Sequence, residues 1–97
     1  MNSVARTLRE IRIHFSPSSP ASQGLKSFVL NKYASIKSSN PSIPILIREA
    51  DNVESRIIAR FDKGIEKKIV VNNMAEEDVT KMFKVLVNDA SEQKTIA

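Results

Sequence analysis

The sequence predicts a single α/β domain in which strands and helices follow one another as β-α-β-β-β-α, forming a four-stranded mixed sheet with the helices mainly on one face. Three observations predict it. Strict alternation of apolar and charged residues marks a first strand, three- and four-residue apolar spacing marks two helices, and breakers such as Ser16-Pro17, Asn40-Pro41 and Asp62-Lys63-Gly64 separate patterned segments. At 97 residues the chain has room for one core and not two. Its 41% apolar and 27% charged residues are enough to offset the entropy of ordering, so a folded domain is expected.

In residues 8–15, Ile11, Ile13 and Phe15 alternate with Glu10, Arg12 and His14, as in a half-buried strand. Ser16-Pro17-Ser18-Ser19-Pro20 breaks the pattern, and Ser19 before Pro20 is a good helix cap and first-turn pair. Across residues 21–39, Leu25, Phe28, Val29, Tyr33 and Ile36 form a stripe that leaves Lys26, Lys32 and Lys37 to solvent; Asn40-Pro41 closes this helix. Residues 43–47 are apolar on both faces, which predicts a central strand with Pro44 at its entry. A helical crossover makes this strand parallel to the first. Residues 55–61 and 65–71 then form a hairpin about Asp62-Lys63-Gly64. Asn73, with Glu76 three residues on, reads as the cap of a second helix whose buried stripe is Val79, Met82, Phe83, Leu86, Val87 and Ala90. The domain is expected to span 8–91, preceded by a basic extension (1–7) and followed by a loose tail (92–97).

Composition removes several functions. Without cysteine there is no disulfide framework, zinc ribbon, iron–sulfur site or thiol catalysis. With one histidine, a local metal cluster is not expected. No run of 18 apolar residues marks a membrane span, and the start of the chain lacks the apolar stretch of a secretory signal. The order of elements matches a reduced thioredoxin-like fold, whose enzymes place Cys-x-x-Cys in the loop after the first strand. Here that loop reads Ser16-Pro17-Ser18-Ser19, and Ser55 stands where such enzymes keep a cis-proline, so dithiol chemistry is excluded. Neither glycine, Gly24 or Gly64, lies in a phosphate-binding loop. No nucleophile elbow accompanies His14, and Glu49 and Asp51 have no opposing acidic pair. No catalytic, cofactor-binding or metal-binding residue is therefore assigned.

The charge is uneven. Residues 1–50 carry seven Lys/Arg against Glu10 and Glu49, whereas residues 51–97 are close to neutral, which points to an acidic partner. RNA recognition would add exposed aromatics for stacking, but Phe15, Phe28, Tyr33, Phe61 and Phe83 all fit buried stripes. Geometry gives a better lead. If both helices cover the face bearing Ile11, Ile13, Ile45 and Ile47, the opposite face shows Arg12, His14, Leu46, Arg48, Ile58 and Arg60. That face is either an ordinary solvated surface or, as we expect, a docking surface, because apolar residues among arginines match the composition of interface cores.

Three strings carry a family resemblance: Leu8-Arg9-Glu10-Ile11-Arg12-Ile13-His14; Ser19-Pro20 with Ser22-Gln23-Gly24; and Asn40-Pro41 before Pro44-Ile45-Leu46-Ile47-Arg48-Glu49. Together, over roughly residues 8–87, the chain resembles the small thioredoxin-like accessory subunit of mitochondrial respiratory complex I, NADH:ubiquinone oxidoreductase. The family is shared with some mitochondrial ribosomal proteins, so contact with ribosomal RNA is the alternative. The resemblance implies a non-catalytic subunit without a cofactor or small-molecule substrate, on the matrix side of the inner membrane. It would sit in the peripheral arm against the large iron–sulfur subunit and help to assemble or stabilise that arm; the lack of a long apolar run argues against a membrane span, and the lack of exposed aromatics against a nucleic-acid partner. Animal members carry two cysteines that can pair; the matching positions here are Ser16 and Ala50, so no thiol switch can operate.

Overall fold

A computed structural model describes residues 7–88. The expected tail, Ala90 and all of the N-terminal extension but Thr7 lie outside the described residues. Strand β1 (Leu8–Phe15) leads through a 3₁₀ turn (Pro20–Ser22) into helix α1 (Gln23–Ser39). Strands β2 (Ile45–Glu49), β3 (Arg56–Phe61) and β4 (Glu66–Val70) follow, the last two joined by a 3₁₀ turn at Asp62–Gly64, and helix α2 (Glu76–Val87) comes last. The sheet order is β2-β1-β3-β4, with β1 and β2 parallel and β3 antiparallel to both β1 and β4. This α/β arrangement with a four-stranded mixed sheet and two helices is the fold class that the periodicities predict, and it is compatible with a thioredoxin-like layout.

One expectation is reversed by the sheet order: β2 is an edge strand, not a central one. Strand β3 pairs with the far side of β1, so β1 takes the centre and β2 has a single neighbour. The run of apolar residues in β2 reflects two different environments, because Ile45 and Ile47 pack on the core while Leu46 lies on the other face, outside it. Pro44 sits at the strand entry as expected, accepting a bond from the Ile11 N–H at 3.0 Å. At the start of β1 a register shift between Leu8 and Glu10 turns Leu8 into the core and leaves Glu10 on the opposite face.

The core lies between the sheet and the two helices. Ile11, Ile13 and Phe15 of β1 and Ile57 and Ala59 of β3 meet Leu25, Phe28 and Ile36 of α1 and Val79, Phe83, Leu86 and Val87 of α2. Phe28 and Phe83 stack at a tilt of 50° with ring centroids 5.2 Å apart. The stripe of α1 is narrower than its spacing predicts: Tyr33 is 36% exposed, because the sheet and α2 cover only the side that bears Phe28. Lys37 is half-buried, since it folds back to donate to the carbonyls of Pro41 and Ile43. Lys32 is also half-buried, whereas Lys26 is exposed.

Capping corrects a second expectation. Ser19 caps the 3₁₀ turn, its hydroxyl accepting from the Ala21 N–H, and Asn40 closes α1 by donating to the Ile36 carbonyl. Asn73, however, does not cap α2. Its φ of 63° places it in a left-handed turn, a conformation that asparagine tolerates better than most residues, and the helix begins at Glu76 after Ala75. The acids Glu76, Glu77 and Asp78 still lie in the first turn, where the helix dipole favours them.

Several contacts hold the start of α1 to the rest of the fold. The hydroxyls of Ser22 and Ser55 share a buried hydrogen bond of 2.6 Å, and the Ser55 N–H donates to Asn72 Oδ1 at 2.9 Å. Beside them the Asn73 N–H donates to the Ala21 carbonyl at 2.8 Å. Gly24 then packs against the backbone entering α2 so closely that a Cβ there would stand 1.7 Å from the Met74 carbonyl oxygen. Both helices are thereby fixed to one face of the sheet, and among the described residues no helix covers the other.

Candidate functional site: the uncovered face of the sheet

Strand alternation and register assemble this face in rows. Arg12 pairs with Leu46 on one side and Ile58 on the other, and Ile58 continues to Lys68. In the next row His14 lies between Arg48 and Arg56, and Arg56 continues to Val70. On the other side of Arg12, Glu10 pairs with Arg60 and Arg60 with Glu66. All six residues picked out by sequence, Arg12, His14, Leu46, Arg48, Ile58 and Arg60, are thus brought together. Leu46 and Ile58 are half-buried but outside the core, flanking Arg12 as a narrow apolar strip.

Sequence reasoning missed Arg56 and Glu10 as partners within this surface. Arg56 has the same parity as Ile58 and Arg60, so alternation could have placed it. The contacts it makes could not have been read, because His14 is 42 residues away in the chain.

The two ends of the face differ electrostatically. At one end, Arg12 Nε donates to Glu10 Oε2 at 2.6 Å, and Arg60 Nη1 lies 3.7 Å from Glu10 Oε1. The Glu10 side chain is 16% exposed, and the hydrogen bond from Arg12 holds its carboxyl below the usual carboxylate range against the opposing effect of burial. At the other end, Arg56 Nε donates to His14 Nδ1 at 3.0 Å. Accepting at Nδ1 leaves the ring neutral with its proton on Nε2. Glu54, just before β3, lies 3.5 Å from both Arg56 and Lys68. Arg48 is exposed and forms no ion pair among the described residues.

Burial lowers the pKa of His14, and the charges of Arg56, Arg12 and Arg48 lower it further. The unfolded chain therefore takes up this proton before the folded one does. The stability linked to His14 is fully present above its ordinary pKa of 6.5 and is lost as pH falls through the depressed folded value. We expect an NMR titration to place His14 below 6.5, and denaturant unfolding to show this loss in the native chain but not in His14→Gln. A midpoint above 6.5 would mean that His14 is not buried among these arginines as the structure has it.

The arrangement suits binding through donated hydrogen bonds and charge. His14 bonds to a guanidinium, not to a serine that it could activate. A shallow groove at the start of α1, lined by Pro20, Gln23, Gly24, Ser27, Asn73, Met74 and Ala75, holds no titratable side chain. Among the described residues no helix is long and apolar enough to cross a membrane, and no three His, Cys, Asp or Glu residues stand together as a metal site would need. The Ala50 N–H donates to the Phe15 carbonyl, so Ser16 and Ala50 follow directly on the last register pair of β1 and β2, and neither bears a thiol.

Comparison with known proteins adds a separate line of information. A family model described as the mitochondrial ribosomal protein L51/S25/CI-B8 domain matches residues 25–76. The chain is 42% identical over 77 residues, 79% of its length and 78% of the relative's, to NADH dehydrogenase (ubiquinone) 1 alpha subcomplex subunit 2 of Mus musculus. To the protein of that name in Arabidopsis thaliana it is 36% identical over 92% of both chains. To the NADH-ubiquinone oxidoreductase 10.5 kDa subunit of Neurospora crassa it is 32% identical over 87% of this chain and 89% of that one.

Proposed function

The chain belongs to the mitochondrial ribosomal protein L51/S25/CI-B8 domain family, and from that premise we propose that it is a non-catalytic accessory subunit of mitochondrial NADH:ubiquinone oxidoreductase, complex I. The observation that carries this reading is the identity of 36% over 92% of both chains to a plant protein named as a subunit of NADH dehydrogenase (ubiquinone), with animal and fungal relatives of corresponding name. The chain docks by its surface and adds no active site. Its place is the peripheral arm on the matrix side of the inner membrane, against the large iron–sulfur subunit and its neighbours, where it assembles or stabilises that arm. Support for docking comes from the uncovered sheet face, which mixes Leu46 and Ile58 with Arg12, Arg48 and Arg60 as interface cores do.

The family description also covers ribosomal proteins, so a mitochondrial ribosomal protein contacting RNA is the second reading. Affinity purification of the tagged chain from mitochondria, followed by native gel separation and mass spectrometry, tests the two. Co-migration with NADH dehydrogenase activity and the large iron–sulfur subunit is the expected result. Co-purification with ribosomal RNA and ribosomal proteins, lost steeply with salt, would replace the first reading by the second.

A further inference from the structure

We propose that the row formed by Arg48, His14 and Arg56 is the seat of a carboxylate borne by an acidic segment of a protein partner, with Leu46 and Ile58 as the apolar floor beside it. The inference rests on the docking role given above and specifies where on the face the acidic contact is made.

The charges of the uncovered face are not equally available. Arg12 and Arg60 share Glu10, which the strand register places next to both and which is half-buried. Breaking that pair to engage a partner would strand Glu10 in a poorly solvated position, so this end is already satisfied. At the opposite end one carboxylate, Glu54, serves both Arg56 and Lys68 at 3.5 Å, a distance too long for strong bonds. Arg48 has no acid at all within ion-pair distance among the described residues. The uncompensated charge is therefore concentrated at Arg48 and shared in part by Arg56.

Between these two arginines the histidine makes the row donor-only. Its Nδ1 is consumed by Arg56 Nε, which leaves Nε2–H as a donor flanked by guanidinium groups. A surface that can donate but not accept is complementary to an anion. The neighbouring strip of Leu46 and Ile58 gives a partner apolar area to cover, and excluding water there strengthens the charge contact beside it.

The surroundings favour a protein carboxylate over a phosphate backbone. No Phe, Tyr or Trp occupies a position on this face in β1–β4; its one ring, the His14 imidazole, is held by Arg56, and Phe15 and Phe61 are buried in the core. Glu54 stands beside the basic row, and Glu10 and Glu66 lie two rows away beyond Arg12, so carboxylates interrupt an extended run of phosphates across the face, whereas a single Asp or Glu fits at the row itself beside Leu46 and Ile58.

The test uses the full chain expressed in cells that lack it, reading how much of each tagged variant co-purifies with complex I. Arg48→Glu and Leu46→Asp are expected to lower incorporation tenfold or more, and Arg48→Ala to lower it less, while thermal melts of the isolated chains stay close to that of the native protein. Lys26→Glu, which makes the same change of net charge on α1, is expected to incorporate normally. Native-level incorporation of Arg48→Glu and Leu46→Asp would overturn the proposed seat, while co-migration of the native chain would leave the subunit assignment standing. If the native chain travels with ribosomes and Arg48→Glu abolishes its RNA binding, the occupant is a phosphate backbone and both the seat and the assignment fall.

Discussion

Gly24→Ala is expected to be the most damaging single-methyl change in the chain. The added Cβ would lie 1.7 Å from the Met74 oxygen, 2.8 Å from the Met74 carbonyl carbon and 3.1 Å from the Ala75 carbonyl carbon. All three are backbone atoms and cannot swing aside as the end of a side chain could. Relief requires moving the first turn of α1 off the segment that enters α2, which also strains the Asn73 to Ala21 bond and the Ser22 to Ser55 pair. Overpacking of this kind costs about 3 kcal/mol or more, a large share of the total of about 5–15 kcal/mol for a small domain. A melting temperature lower by about 10 °C or more should follow, even though alanine is intrinsically the better helix former. Gly64→Ala provides the contrast. Its φ of 75° penalises any side chain, but nothing lies within 4 Å, so the cost should be only about 1 kcal/mol. Equal losses in the two variants would show that the close approach at Met74 is not fixed.

The same position illustrates what a single sequence can and cannot reveal. Gly24 is notable in the sequence only as one of two glycines and as part of a family string; its need for space comes from a loop 50 residues further on. The Ser22–Ser55 bond and the His14–Arg56 bond are of the same kind, joining residues 33 and 42 apart with no periodicity to announce them. Periodicity did carry the elements themselves. Alternation over 8–15 gave β1, and its parity also sorted Arg12, His14, Leu46, Arg48, Ile58 and Arg60 onto one face. It failed where one pattern has two physical causes. An apolar run fits a strand covered on both sides, but it also fits an edge strand with Leu46 on an uncovered face, which is the case for β2. Asn73 before Glu76 fits a capping box, but asparagine also suits a left-handed turn, and the backbone uses it for the turn.

Phe28→Ala should be destabilising by about 3–5 kcal/mol, for a reason that bears on every assembly experiment proposed for this chain. The ring is 1% exposed, and its tilted stack on Phe83 is where α1 meets α2 above the sheet. Truncation removes the transfer energy of the ring and leaves a cavity that two helices pinned at Gly24 and Ala75 cannot close by sliding together. A fall in melting temperature of about 15 °C or more is expected. A double-mutant cycle with Phe28→Leu and Phe83→Leu should show a coupling of about 0.5–1.5 kcal/mol, the part belonging to the ring pair and not to burial. Additive effects would mean that the two rings do not stack. In mitochondria a loss of this size depletes the folded chain, so Phe28→Ala should reduce incorporation into a complex by removing the protein and not by altering its contacts. Arg48→Glu makes the opposite pairing of outcomes, an unchanged melt with reduced incorporation, because Arg48 is exposed and forms no ion pair among the described residues. Only when a core variant and a surface variant lower incorporation with different melting behaviour can the effect of the surface variant be ascribed to docking.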